Sequence, residues 1–390
     1  MMPPKGFRAG AVAAGLKYPD RLDLGLIVCD TFQASAGVFT QNICQAAPVL
    51  WSRPRVGKGR AVLVNSGQAN AQTGADGLSD CLRSAELAAK LLGLDPQEVL
   101  LASTGVIGSR LNTAALLAGL PRLSDSLSDH GFDDFAKAIM TTDTVSKTAQ
   151  FRLDFPSGPP AAIWGAAKGS GMIAPNMATM LGFVLTDCAV EPKLLSELLS
   201  RGTEATFNRV TVDGDTSTND SLFLLSSGAS GQTVIDGGKP AQIFEEALFS
   251  VLDDLARALA RDGEGATKLV EIVVEGAKTS EQAKMAARTV AESPLVKTAF
   301  FGGDANWGRI LAALGRSGAV FDPYQVNIDL GNIPWVRQGR DNGKDAQATE
   351  VMGRREYRLT ISLGAGEASH SMLTCDFSHD YVTINGSYRS

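Results

Sequence analysis

The stretch WGAAKGSGMIAPNMATMLGFVLTD, residues 164–187, changes character twice within a short span. It begins as a strand, opens into a glycine-rich loop that carries Lys168, and turns at Pro175–Asn176. From Met180 it resumes as an almost wholly apolar strand, and a run of this kind predicts a strand buried on both faces. Thr179 is therefore expected where a loop meets a deeply buried strand.

The rest of the chain mixes strands and helices. Short apolar runs bounded by turn residues predict strands at 24–29, 60–65, 97–103, 326–330, 357–363 and 381–385. Apolar residues at helical spacing predict helices at 78–94 (capped by Ser79), 132–140, 243–263 and 279–291, and one that begins near Trp307. The polar stretch 337–350 is interpreted as a surface loop. Because strands and helices do not alternate regularly, a layered α+β architecture is favoured over a Rossmann fold.

Composition narrows the class of protein. The 390 residues are 44% hydrophobic, which is enough for a sizeable core in two domains or one large layered domain. A net charge of −6 without basic clusters argues against nucleic acid or an anionic membrane as partner. No apolar run approaches the roughly 18 residues of a membrane helix, and MMPPKGFRAG lacks the apolar stretch of a secretory signal. Five cysteines without a CxxC pair predict reduced thiols in a cytoplasmic protein and argue against structural zinc.

The common catalytic motifs are missing from the sequence. There is no GxxxxGK[ST] or HExxH, and KGSGMIAP has Ala174 where a dinucleotide fingerprint needs its third glycine. The three histidines, His130, His370 and His379, are scattered in polar contexts. We interpret them as ordinary surface or supporting residues rather than as members of a Ser-His-Asp triad.

The segment DGDTSTND, residues 213–220, imitates a calcium-binding loop. The sixth position, which needs a glycine for a sharp turn, is Thr218, and the twelfth, which needs a bidentate glutamate, is Leu224. The segment is better interpreted as a hydrogen-bonded turn of Asx and hydroxyl side chains that leads into a strand. The alternative is that this turn supports an active site.

Thr179 has two interpretations. Its hydroxyl could simply cap the edge of a strand. If the chain is cut between Ala178 and Thr179, however, the new α-amine, with a pKa of about 7.7–8.0, would be a general base beside the hydroxyl. The hydroxyl could make that cut by attacking the preceding carbonyl, and the small Ala178 allows a close approach.

Several blocks of sequence resemble one family. KGSGMIAPNMATML is similar to the self-cleavage segment of the ornithine acetyltransferase family, the bifunctional glutamate N-acetyltransferase/amino-acid acetyltransferases of arginine biosynthesis. Further blocks follow the family's order: ASTGVIG (102–108), AIMTTDT (138–144), FNRVTVDGDTSTND (207–220), DGEGATKLVE (262–271), SPLVKTAFFGGDANWGR (293–309) and YVTINGSYRS (381–390). The resemblance therefore extends along nearly the whole chain.

The resemblance implies a fold and a site. It implies a layered αββα-type sandwich of two self-cleaved, co-folding chains, 1–178 and 179–390, with a smaller C-terminal lobe. Thr179 matches the nucleophile, and Thr104 with Gly105 matches the oxyanion-hole pair. The substrate-contacting positions are matched by Thr141, Lys168, Thr179, Glu264, Asn385 and Ser390. Ser390 stands where the family commonly has threonine, which keeps the hydroxyl.

The resemblance also implies the reaction. The enzyme would move acetyl from N2-acetyl-L-ornithine to L-glutamate by a ping-pong mechanism, without metal or cofactor, and acetyl-CoA stays open as a second donor. The expected assembly is a cytoplasmic heterotetramer of two α and two β chains. Two alternatives remain: an N-terminal-nucleophile aminopeptidase or amidohydrolase, and a self-processed binding protein without enzymatic activity.

Overall fold

The computed structural model describes residues 3–174 and 180–387. The chain folds as two compact units, the first comprising Met1–Asn208 with Asp215–Leu259 and the second Arg209–Gly214 with Ala260–Ser390. None of the described helices is long and apolar enough to cross a membrane. The five cysteines are free thiols, as the sequence predicts, and only Cys44 among them is exposed.

The described residues form both strands and helices. The strands are β1 Phe7–Val12, β2 Leu24–Cys29, β3 Ala34–Phe39, β4 Ala61–Gln68, β5 Val99–Val106, β6 Lys147–Leu153, β7 Ala161–Lys168, β8 Leu181–Thr186, β9 Ala189–Val190, β10 Val210–Thr211, β11 Ser221–Ser226, β12 Thr233–Val234, β13 Leu269–Ala277, β14 Asn327–Leu330, β15 Ile333–Arg337, β16 Arg340–Asp341, β17 Glu356–Ser362 and β18 Ala368–Cys375. The helices are α1 Ala47–Ser52, α2 Gly74–Leu92, α3 Thr113–Asp125, α4 Phe132–Ala138, α5 Pro192–Ala205, α6 Lys239–Arg261, α7 Ser280–Ala291, α8 Pro294–Gly302, α9 Trp307–Gly315, α10 Asp345–Met352 and α11 His379–Gly386.

Two sheets of the first unit lie face to face. One has the order β1-β2-β4-β5 and the other β3-β11-β8-β7-β6. Their inner faces share one apolar core, in which Ile27 and Val64 of the four-stranded sheet join Phe183 and Phe223 of the five-stranded sheet. The rings of Phe183 and Phe223 stack with centroids 6.0 Å apart. Strands with mostly apolar sequences form this centre because both of their faces are covered.

Helices cover the outer faces of both sheets. On the four-stranded sheet, Leu26 and Leu63 pack in a second core with Ala85 of α2 and Leu120 of α3. On the five-stranded sheet, Gly165 of β7 allows α6 to approach closely, because a Cβ there would lie 2.9 Å from Leu255 Cδ1. The predicted mixture of helices and strands in layers is thus confirmed at the level of fold class.

The second unit contains a seven-stranded sheet of order β10-β18-β13-β17-β14-β15-β16. Its apolar core joins Ile272 of β13 and Leu359 of β17 to Ala286 of α7 and Ile310 of α9. The small alanine side chains on α7 let this helix pack closely against the sheet.

The predicted strand at 381–385 is wrong, because these residues lie within α11. Their β-branched side chains favour a strand by propensity, but Ser378 caps a helix by accepting the N–H of Asp380 at 3.2 Å. Val382 is 71% exposed, so the segment lacks the buried face that would hold it in a sheet. Local capping therefore outweighs β propensity here.

Two other predicted boundaries are also wrong. The stretch 337–350 is not a single loop, because it contains β16 and the start of α10. The buried residues Ala348, Val351 and Met352 form the apolar side of α10, and two of them lie beyond the predicted loop. The helix predicted from Ser79 begins earlier, at Gly74, so Ser79 lies inside α2 rather than at its cap.

Candidate active site

Thr104 and Gly105 lie near the end of β5, which pairs in parallel with β4 and places Gly105 opposite Gly67. Gly105 has φ +128°, a region that favours glycine. A Cβ at this position would lie 2.2 Å from the carbonyl carbon of Gly67. The backbone conformation beside Thr104 therefore depends on a residue without a side chain.

The sequence resemblance implies that the Gly105 N–H is an oxyanion donor, so a Gly105→Ala variant is expected to lose at least about 100-fold in kcat, the loss typical of removing one such donor. The added methyl group meets the Gly67 backbone and must turn the Gly105 N–H away from its present direction. Steady-state kinetics measure the effect. Gly302→Ala is the matched control, because nothing lies within 4 Å of a Cβ built at Gly302. Equal activities of the two variants would contradict the prediction.

Lys168 ends β7 and is buried, with 7% of its surface exposed. Its Nζ donates a hydrogen bond to Thr104 Oγ1 at 3.1 Å. An ammonium group only donates, so the Thr104 oxygen must be the acceptor in this contact. The Thr104 hydroxyl proton is thereby left to donate to another group.

Asp143 is a buried carboxylate that the sequence reasoning did not single out, although it lies within the AIMTTDT block. Its Oδ1 accepts hydrogen bonds from Lys147 Nζ at 2.6 Å and from the Gly169 N–H at 2.7 Å. Its Oδ2 accepts the N–H of Thr141 at 3.0 Å. Asp143 thus ties the backbone of Thr141 to the loop that follows Lys168.

The charges around Asp143 decide its ionisation. Burial by itself raises the pKa of the Asp143 carboxyl, but the nearby Lys168 and Lys147 and the hydrogen bonds outweigh burial and lower the pKa to about 2. Asp143 is therefore a permanent anion at neutral pH. It offsets the charges of the buried Lys147 and Lys168, the second of which contacts Thr104.

Asn219 supports the part of β5 that carries Thr104. Its buried Nδ2 donates to the carbonyl oxygens of Ala69 at 2.6 Å and of Ser103 at 2.8 Å. Ser103 directly precedes Thr104 in β5, so Asn219 fixes the backbone next to Thr104. This contact favours the alternative interpretation of DGDTSTND, that the turn supports a site. The signal in the sequence was the cluster of short polar residues itself.

In the second unit, Glu264 and Asn385 meet. Glu264 is buried, and its Oε2 accepts a hydrogen bond from Asn385 Nδ2 at 2.7 Å. Gly265 has φ +67°, and a Cβ there would lie 2.6 Å from the Tyr381 nitrogen. The loop that carries Glu264 is therefore packed closely against α11, which carries Asn385.

The predicted site residues fall into three groups. In the first unit Thr104, Gly105 and Lys168 adjoin one another, and Thr141 is joined to them through Asp143. In the second unit Glu264 and Asn385 form a pair. The predicted residues outside the described part of the chain are Ala178, Thr179 and Ser390. Within the described ranges, no group of three or more His, Cys, Asp or Glu side chains is arranged to hold a metal ion.

Known proteins match this chain over nearly its full length. The model of the ArgJ family matches residues 8–390. The chain is 48% identical to the arginine biosynthesis bifunctional protein ArgJ of Desulfotalea psychrophila, over 99% of both chains. It is 49% identical to the protein of the same name from Chlorobaculum tepidum, over 99% of this chain and 96% of the relative.

A solved structure is also similar. The crystal structure of the arginine biosynthesis bifunctional protein ArgJ from Bacillus halodurans is 40% identical and aligns with a TM-score of 0.51. The match covers 53% of this chain and 98% of that chain. The resemblance found in the sequence blocks is thereby confirmed, and the chain belongs to the ArgJ family.

Proposed function

We propose that this chain is an acetyltransferase of arginine biosynthesis that moves acetyl from N2-acetyl-L-ornithine to L-glutamate through an acetyl-Thr179 intermediate. Family membership supports the reaction. The observation that carries it is the contact between Lys168 Nζ and Thr104 Oγ1, which leaves the Thr104 proton to donate to a developing oxyanion. The amide energy of the donor is conserved in the product, so the transfer needs no metal or other cofactor.

The chemistry divides into two half-reactions. Thr179 Oγ attacks the acetyl carbonyl carbon, the amide C–N bond breaks, and the proton passes through the Thr179 α-amine to the leaving nitrogen of ornithine. The glutamate amine then attacks the ester carbon, and the Thr179 oxygen recovers a proton. In both steps Thr104 and the Gly105 N–H stabilise the tetrahedral oxyanion, each worth about 3–4 kcal/mol.

Self-cleavage between Ala178 and Thr179 belongs to the same proposal. The five-stranded sheet takes β3, β6 and β7 from residues 1–178, and β8 and β11 from residues 179–390. β7 pairs antiparallel with β8, with Lys168 opposite Leu181. Two chains that share such a sheet stay associated. The solved ArgJ chain from Bacillus halodurans is matched over 98% of its length by 53% of this chain. That coverage is consistent with cleavage of this chain into two pieces.

The assembly and the second donor are extensions of the proposal. We infer a cytoplasmic heterotetramer of two α and two β chains, in which each pair is held together by the shared sheet. The relatives are named bifunctional, so acetyl-CoA is proposed as a second acetyl donor. Lys168 is proposed to contact a substrate carboxylate, and Thr141, Asn385 and Ser390 to contact the amino-acid substrate as well.

The proposal is tested by mass spectrometry of the intact protein. Incubation with N2-acetylornithine alone should add the mass of one acetyl group to the chain that begins at Thr179. Added glutamate should remove that mass and yield N-acetylglutamate. Steady release of acetate without glutamate would instead indicate a hydrolase. A mass that never changes would indicate a binding protein.

Glu264 is proposed to select N2-acetylornithine as the donor, because its carboxylate can pair with the side-chain ammonium of that substrate. Glu264→Gln keeps an oxygen for the Asn385 hydrogen bond but removes the charge. It should lower kcat/KM for N2-acetylornithine more than for glutamate, by about 1.5–3 kcal/mol in transition-state free energy. Glu292→Gln, at a half-exposed pair with Arg288, is the control and should change neither value. Equal losses for both substrates would rule out the selective role of Glu264.

A further inference from the structure

Asp220 lies beside the residue that follows Thr179 in the sequence. It directly precedes β11, as Met180 precedes β8, and the two strands run parallel with Ser221 opposite Leu181. The Asp220 carboxylate accepts hydrogen bonds from the backbone N–H of Met180 and from the Ser217 hydroxyl. The Ser221 N–H in turn donates to the Met180 carbonyl at 3.1 Å. Asp220 is therefore fixed against the start of the strand that Thr179 leads into.

The Asp220 carboxylate is buried, and its two oxygens differ in their contacts. Asp220 is 1% exposed, and its buried Oδ2 has no hydrogen-bond partner among the described residues. Leaving a buried polar atom unpaired costs about 1–3 kcal/mol, and more when the group is charged. Such atoms are uncommon in native proteins, and a catalytic role is one explanation for their retention.

Burial and the neighbouring groups set the affinity of the Asp220 carboxyl for a proton. Burial raises the pKa of the Asp220 carboxyl, and the hydrogen bonds from Ser217 and Met180 and the charge of Lys168 only partly offset this. Lys168 also faces Asp143, which is paired with Lys147. A carboxylate with a raised pKa is a stronger base than an ordinary one, and the nearby charge of Lys168 favours its ionised form.

Asp143 is the other buried carboxylate near Lys168, but its contacts argue against a role as proton acceptor. Its two oxygens already accept hydrogen bonds from Lys147, Gly169 and Thr141. Its pKa of about 2 makes it a poor proton acceptor. Asp220 combines an oxygen that no described residue hydrogen-bonds with a higher affinity for a proton.

We propose that Asp220 is the proton acceptor in self-cleavage, before the α-amine of Thr179 exists. The inference rests on the proposed cleavage between Ala178 and Thr179. In the uncut chain the Thr179 nitrogen is an amide and cannot act as a base. The hydroxyl oxygen attacks the Ala178 carbonyl carbon while its proton moves to Asp220 Oδ2. The C–N bond then breaks, the nitrogen takes that proton to become the amine, and water hydrolyses the ester to release the Ala178 carboxylate.

Asp220→Asn separates proton transfer from a purely structural role. The asparagine carbonyl can still accept the Met180 N–H, but it cannot accept a proton. The purified variant should remain full-length and cleave at least about 100-fold more slowly than the wild type, measured by denaturing gel and intact mass over time. Asp23→Asn is the matched control, because Asp23 is a buried carboxylate that holds the N–H groups of Ala14 and Leu16, and it should cleave normally.

Asp220→Glu keeps the carboxyl group on a longer side chain and should cleave at least tenfold faster than Asp220→Asn. It also serves as the second variant if Asp220→Asn does not fold. A wild-type chain that stays uncut would contradict the proposed self-cleavage itself. A cut wild type together with an Asp220→Asn chain cut at a similar rate would overturn the role of Asp220 alone. Equal slow rates in folded Asp220→Asn and Asp220→Glu would also overturn it.

Discussion

A Thr179→Ala chain is expected to remain one species of 390 residues and to have no detectable transferase activity. Removing the hydroxyl eliminates the group that attacks the Ala178 carbonyl, so no new α-amine is formed. The same change removes the oxygen that carries the acetyl group. Self-cleavage and acetyl transfer both depend on this one oxygen atom, so we expect both to be lost completely. Denaturing electrophoresis measures the cleavage, and release of ornithine from N2-acetylornithine measures the activity.

Thr179→Ser is the matched variant for this experiment. It keeps a hydroxyl at the same position, so it should still be cut and should retain part of the activity. A Thr179→Ala protein that is cut into the two expected chains would place the nucleophile elsewhere. An uncut Thr179→Ala protein with normal transferase activity would separate catalysis from cleavage and contradict the ping-pong scheme.

Asp143→Ala should lower the free energy of unfolding by about 3–5 kcal/mol. The side chains of Asp143 and Lys147 are 0% and 1% exposed, and their charged atoms lie 2.6 Å apart. Removing the carboxylate takes away the charge that balances the buried Lys147 ammonium. It also removes the acceptor of the Thr141 and Gly169 N–H groups. Urea denaturation followed by circular dichroism measures the loss.

The control is Asp134→Ala, at a pair of the same type on the surface. Asp134 and Lys137 are 3.0 Å apart, but both side chains are more than half exposed. Exposed ion pairs contribute about 0–1 kcal/mol, so this variant should unfold almost as the wild type does. Similar losses in the two variants would mean that burial of the Asp143 pair does not determine its contribution.

The ion pair of Asp143 and Lys147 also predicts that the stability of the protein depends on pH. The pKa of the carboxyl falls from its ordinary value of 3.8 to about 2 on folding. The ionised carboxylate therefore contributes fully to the free energy of unfolding above pH 3.8. This contribution, about 2 kcal/mol, is lost as the pH falls toward about 2. The stability difference between wild type and Asp143→Asn should narrow as acid is added. A difference that is constant between pH 5 and pH 2 would contradict this assignment.

Sequence pattern located the elements whose signals are local. The apolar run 24–29 coincides with β2, and the helical periodicity of 243–263 marks most of α6. Block resemblance predicted site residues that include Lys168 with Thr104 and Glu264 with Asn385, and the structure places each of these two pairs in contact. In the strand predicted at 381–385, residue propensity pointed to the wrong structure because no sheet edge receives that segment.

By itself, then, the sequence determined the family and the mixed fold class, and it predicted the positions that would carry hydroxyl, lysine and carboxylate chemistry. Only the tertiary structure decided how those groups are charged and held. Asp143, Asn219 and Asp220 act through partners on other segments: Asn219 meets Ser103, and Asp220 meets Met180. A carboxylate has the same signal in the sequence whether its pKa is lowered or raised. Burial and neighbouring charge set that difference, and both exist only after the sheets have brought distant strands together.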